Sequence, residues 1–127
     1  MFRFLERAEV EELHRDSLQA YGGTAGTRDE GMVESALGAA INTALYGNGD
    51  VFEVAASYAF HIAEAQAFFD GNKRTAIAAA LTFLALNHPM PRPAESDLNA
   101  LYDAMIAIAR HELDKPGLAA LLRQLFA

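Results

Sequence analysis

The chain has 127 residues, enough for one domain with a real core. Of these, 52% are apolar and 21% charged, a balance that separates it from disordered chains. The net charge of −7 disfavours direct binding to nucleic acid or anionic membranes, which call for basic surfaces. The absence of cysteine excludes disulfides, thiolate metal sites and cysteine nucleophiles.

Strand signals are almost absent, and Ala, Leu and Glu recur with helical periodicity. The N-terminal stretch holds no continuous apolar run of signal-peptide length. A first helix is predicted from about Glu6 to Ala20, with Leu5, Val10, Leu13 and Leu18 as its apolar stripe, and "YGG" at 21–23 ends it. Thr27 and Glu30 have capping-box spacing, so a second helix is predicted to begin near Arg28 or Asp29 and to reach about Thr43. "YGNGD" at 46–50 breaks the pattern, and a third helix follows from Val51 to about Ala67. Residues 68–71 read as a turn. A fourth helix runs from Asn72 to about Leu86, stopped by Asn87 and Pro89. It is apolar on nearly every face, which predicts a central place, and its run Ala76–Leu86 is too short to cross a bilayer. After a Pro-rich connection, Ser96 is the candidate cap of a fifth helix reaching about His111. Asp114 and Pro116 open a last one to about Phe126. The expectation is a single all-α domain over 1–127, with about six helices, soluble and cytoplasmic.

The segment "FFDGNKRTA" at 68–76 carries the chemistry. A helix N-terminus exposes unpaired N–H groups and the positive end of the dipole, so it favours anions. Gly71 lets a ligand approach the backbone, Asn72 adds an amide donor, and Lys73 and Arg74 add cations. Cations in a first turn oppose the dipole, a misfit that a bound phosphate would relieve. Asp70 could hold a divalent metal, since Mg²⁺ commonly combines one or two carboxylates with phosphate oxygens. The same residues also read as a solvated helix start capped by Asp70. The segment is neither a Walker A loop nor a dinucleotide fingerprint. Thr75 has no adjacent base and reads as a packing residue.

Set between two apolar helices, this segment resembles the signature of the Fic/Doc (Fido) superfamily, most closely the Doc, or death-on-curing, branch. That branch reads H-x-F-x-[DN]-[AG]-N-K-R-[TS], and Phe68, Asp70, Gly71, Asn72, Lys73, Arg74 and Thr75 match it. "YGGTAGTRDEGMVESAL" at 21–37 is similar to the family's N-terminal block. The resemblance implies a helical Fido fold and a nucleotide, ATP or a related one with Mg²⁺, held at the motif. It further implies phosphate binding by Gly71, Asn72, Lys73 and Arg74, Mg²⁺ at Asp70, and Phe68 as the anchor of the loop. Doc toxins phosphorylate elongation factor Tu, whereas the Fic branch transfers a nucleoside monophosphate. A flap that docks the target is implied at Tyr46, Gly47, Asn48, Gly49 and Asp50. An antitoxin with a disordered C-terminal tail is implied as partner. The first and last helices offer Leu5, Val10, Leu122 and Phe126 as candidates for its groove.

The motif's first residue, a histidine acting as base, is Gln66 here. Glutamine can orient a hydroxyl but cannot take its proton. Losing a general base typically costs about 10²- to 10⁴-fold in rate. His61 lies five residues earlier on the helix and should point elsewhere; His14, His88 and His111 lie on other segments. Three accounts of Gln66 stay open: an introduced inactivating change, a variant that kept binding but lost transfer, or one needing no strong base.

Overall fold

A computed structural model describes the whole chain, residues 1–127. Six helices follow one another: α1 Arg7–Tyr21, α2 Glu30–Leu45, α3 Val51–Ala65, α4 Asn72–Asn87, α5 Glu95–Ala109 and α6 Lys115–Phe126. The only β-type pairing is an isolated antiparallel bridge between Thr27 and Phe68.

The helix starts follow from short side chains that satisfy free amides. Asp29 accepts from the Met32 amide, Asp50 from Glu53 and Asp114 from Gly117. Two predicted caps are corrected. Thr27 pairs with Phe68 instead of capping α2, and Asp29 takes that role. Ser96 lies inside α5, where Asp97 reaches back to the Ala94 amide. The third helix also stops two residues early, because Gln66 turns left-handed at φ 49°.

Two antiparallel helices, α3 and α4, share the centre. The first packs against α2, α4, α5 and α6, and the second also against α1 and α5. Small residues permit this closeness: Ala55, Ala56, Ala59, Ala76, Ala79 and Ala80 are all buried. Larger side chains fill the remaining space, with Tyr58, Phe68, Phe83 and Leu84 almost wholly enclosed. The N-terminal stretch crosses this pair. Leu5 donates its amide to the Tyr58 hydroxyl, and Asn87 brackets the Arg3 backbone with two hydrogen bonds. Burial pushes the Tyr58 hydroxyl above its usual pKa despite the Leu5 hydrogen bond. No helix is long and apolar enough to cross a membrane.

Two further expectations are overturned. Leu5, Val10, Leu122 and Phe126 are all core residues, so they cannot form an exposed groove. The "YGNGD" turn is remote from the motif. Backbone amides of Arg28 and Asp29, before α2, donate to the Ala67 carbonyl, after α3. At the other end of this hairpin the Gly49 amide donates to the Thr43 carbonyl. Tyr46–Asp50 is thus separated from Gln66 by the length of α3, about 22 Å for 15 residues. Asp50 there caps α3 and pairs with Arg123 at 2.7 Å.

Candidate functional site

Gln66 and residues 69–74 form one wall of a cleft of about 270 Å³, completed by Ala63 and by Tyr102 of α5. Its shape begins with the turn between α3 and α4. Phe68 is 2% exposed and drives the turn into the core, while Asn72 closes it. The Asn72 amide donates to the Phe68 carbonyl at 3.0 Å, and its oxygen accepts from the Phe68 amide at 3.1 Å. Both ends of the side chain are therefore engaged by backbone. Its oxygen and one of its two amide hydrogens hold the loop, which leaves the second amide hydrogen and the backbone N–H for an anion.

Gly71 takes φ 76°, a left-handed conformation that disfavours other residues, and supplies no side-chain cap to α4. The first-turn N–H groups, which a helix cannot satisfy internally, belong to residues that line the cleft. Lys73 and Arg74 line the same space, and neither joins any ion pair of the chain. The Arg74 guanidinium lies 4.6 Å above the Tyr21 ring. That cation–π contact is worth about 0.5–1 kcal/mol at an exposed site, which leaves the cation available to an anion.

Asp70 is the only carboxylate lining the cleft. One oxygen accepts from the Gly71 amide at 2.9 Å and the other from the Thr24 amide at 3.2 Å. A Cβ on Gly23 would stand 2.8 Å from that second oxygen, so the glycine lets the 22–24 backbone reach the carboxylate. With a single carboxylate, a cation here would complete its shell from phosphate and water, the donor set typical of Mg²⁺. The residues present fit a Mg²⁺–nucleotide.

Gln66 is exposed at the mouth of the cleft and its side chain makes no hydrogen bond within the chain. Its carbonyl accepts from the Arg28 guanidinium. No histidine lines the cleft. His61 instead meets Lys115 of α6, with Nζ 3.1 Å from Nε2. Burial, and then the Lys115 charge, hold its pKa below the usual 6.5. Thr75 is completely buried, as its packing role requires, though its hydroxyl has no partner.

Several residues of this site were missed in the sequence. Segment 23–29 runs alongside the motif: besides the Thr24, Arg28 and Asp29 bonds, the Phe69 amide donates to the Gly26 carbonyl at 3.3 Å. His14, which lies on another segment of the sequence, stacks on Phe68 and bonds to the Asp70 carbonyl. Its spacing of four from Val10 was the available signal, since it puts both on one helix face. A second, apolar cavity of about 490 Å³ opens between α1, α4 and α5, with Leu13, Ala20, Ile77, Leu81 and Leu98 among its walls. It shares Arg74 and Tyr102 with the motif cleft.

Comparison with known proteins agrees with this geometry. Residues 4–84 match the model of the Fic/DOC family. The chain is 33% identical over 125 residues to the protein kinase doc of Escherichia phage P1, covering 98% of this chain and 96% of that protein. It is 34% identical over 123 residues to toxin Doc of Mycolicibacterium smegmatis, covering 94% and 91%. With that extent of match, the chain belongs to the Fic/DOC family, on its Doc branch.

Proposed function

We propose that this chain is the toxin of a toxin–antitoxin pair, a cytoplasmic Doc-type transferase that moves phosphate from a nucleotide to a protein hydroxyl. The observation that carries the reading is the uncapped start of α4, flanked by the unpaired cations Lys73 and Arg74 and by Asp70. When bound, Mg²⁺–ATP would supply the transferable group. The α4 amides, Lys73 and Arg74 would bind and orient its phosphates, and Asp70 would hold the cation. Phosphoryl transfer relies mainly on positioning and electrostatics, both of which this cleft offers. The names of the two relatives, a protein kinase and a toxin, support the same class. By family resemblance the target is elongation factor Tu, and segment 23–29 is the edge against which its hydroxyl-bearing loop would dock. The apolar groove between α1, α4 and α5, rather than the buried Leu5, Val10, Leu122 and Phe126, is where the antitoxin's tail would sit. Its continuity with Arg74 lets an amphipathic segment seated there also obstruct the cleft.

Gln66 makes the chain slow as it stands. It can hold a hydroxyl in place, but the only carboxylate nearby already accepts two amides. That same residue favours a second reading, a Fido fold that binds nucleotide or protein without turnover. The test is Gln66→His, assayed with γ-labelled ATP and elongation factor Tu. We expect the histidine variant to be about 10²-fold or more faster. Label from the α-position would identify nucleotidyl transfer instead. No label from either position, with nucleotide still bound, would leave the binding module.

A further inference from the structure

His14 is 3% exposed, a polar ring placed among apolar neighbours on the inner face of α1. Two contacts occupy it. Its ring lies parallel to Phe68, with centroids 3.9 Å apart and planes 13° from parallel. Its Nε2 is 2.7 Å from the backbone carbonyl oxygen of Asp70. A carbonyl only accepts, so Nε2–H is the donor in this bond. The ring also closes against Gly71, where an added Cβ would stand 3.6 Å from His14 Cδ2. One side chain of α1 thus engages two points of the motif turn, the Phe68 ring and the Asp70 carbonyl, and lies beside a third, Gly71.

The consequence falls on Asp70. Its carbonyl is fixed by His14, and its carboxylate by the Gly71 and Thr24 amides. With the backbone pinned on one side, those amides can fix the direction of the carboxylate on the other. We infer that His14 is a positioning residue for the cation site: by donating to the Asp70 carbonyl it aims the Asp70 carboxylate into the cleft. This rests on the nucleotide reading above and assigns the histidine no proton transfer. Hydrogen-bond partners standing behind a metal ligand typically contribute about 10- to 100-fold in metal affinity.

Two variants separate the hydrogen bond from the packing. His14→Phe keeps an aromatic ring against Phe68 and removes the donor. His14→Gln keeps an N–H that can reach the carbonyl and loses the stack. ATP is titrated calorimetrically into each full-length protein with and without Mg²⁺, alongside thermal unfolding. We expect similar metal-free affinities throughout. The gain on adding Mg²⁺ should fall about tenfold or more in His14→Phe and stay within about threefold of wild type in His14→Gln. Should the phenylalanine variant not fold, His14→Met supplies a donor-free side chain. A donor-free variant that keeps the full Mg²⁺ gain overturns the positioning role while leaving nucleotide binding intact. Equal loss in the glutamine and donor-free variants overturns the hydrogen-bond route in favour of packing. If the wild type shows no Mg²⁺-dependent gain, the nucleotide–metal reading falls and the role of His14 falls with it.

Discussion

Replacing Asn72 by alanine tests whether the motif amide shapes the loop or touches the ligand. In the structure it does the first, through its two bonds to the Phe68 backbone at 3.0 and 3.1 Å. Truncation leaves the Phe68 N–H and C=O without those partners beneath a side chain only 2% exposed. Each buried polar group left unpaired costs about 1–3 kcal/mol, so two partly enclosed ones together cost about 2–4 kcal/mol. Set against a total stability of about 5–15 kcal/mol for an ordinary domain, the loss is large but leaves a folded majority. Urea unfolding should show a lower midpoint with an unchanged slope, the signature of lost stability without a change in exposed area. Nucleotide affinity should fall in parallel, because the α4 amides lose their fixed direction. Asn72→Asp should show a partial stability loss, keeping the oxygen that accepts from Phe68 and losing the donor. A variant Asn72→Ala with an unaltered midpoint and a collapsed affinity would refute the reasoning. It would return the side chain to the ligand.

Arg74→Ala should weaken ATP binding by about 10- to 100-fold in a calorimetric titration, the loss expected for one charge-assisted hydrogen bond of about 1.5–3 kcal/mol. Its unfolding midpoint should fall only slightly, since no ion pair is removed and the Tyr21 contact contributes about 0.5–1 kcal/mol. His61 gives a pH signature. Its folded pKa is lowered by burial and then by Lys115, so on acidification through about 6.5 the unfolded chain takes the proton first. Stability should therefore be greatest above that value and fall as the pH drops towards the folded pKa. Urea midpoints across about pH 5 to 8 should show this slope, and His61→Gln should flatten it. Finally, Leu81→Asp in the apolar groove should abolish co-elution with an antitoxin encoded beside the gene, whereas Leu45→Asp, exposed and outside the groove, should not.

The local grammar of this chain was legible one residue at a time. Helix periodicity gave all six helices, because apolar spacing reports the face that must be buried whatever covers it. The misfit of Lys73 and Arg74 at a helix start marked the cleft, since the dipole's sign is a local property. The difference between Gln66 and a base was equally local, a matter of which atoms can hold a proton. Capping was less secure. Thr27 and Ser96 had suitable spacing, but a competing partner, Phe68 for one and Asp97 for the other, settled the helix starts.

Only the tertiary structure decided what stands next to what. Apolar character could not say whether Leu5, Val10, Leu122 and Phe126 faced a groove or the core, and packing placed them all in the core. A gap in periodicity at 46–50 and another at 22–29 looked alike as sequence, yet the antiparallel course of α2 and α3 carries one away from the motif and lays the other beside it. His14 in α1 and Asp70 in the turn before α4 are 56 residues apart, and no local pattern at either position predicts that they meet. What the sequence determined was the chemistry available at each position, because that resides in single side chains and their nearest neighbours along the chain. Which of those chemistries share a site depends on long-range packing, where the path of the backbone, rather than the spacing of residues, sets the distance.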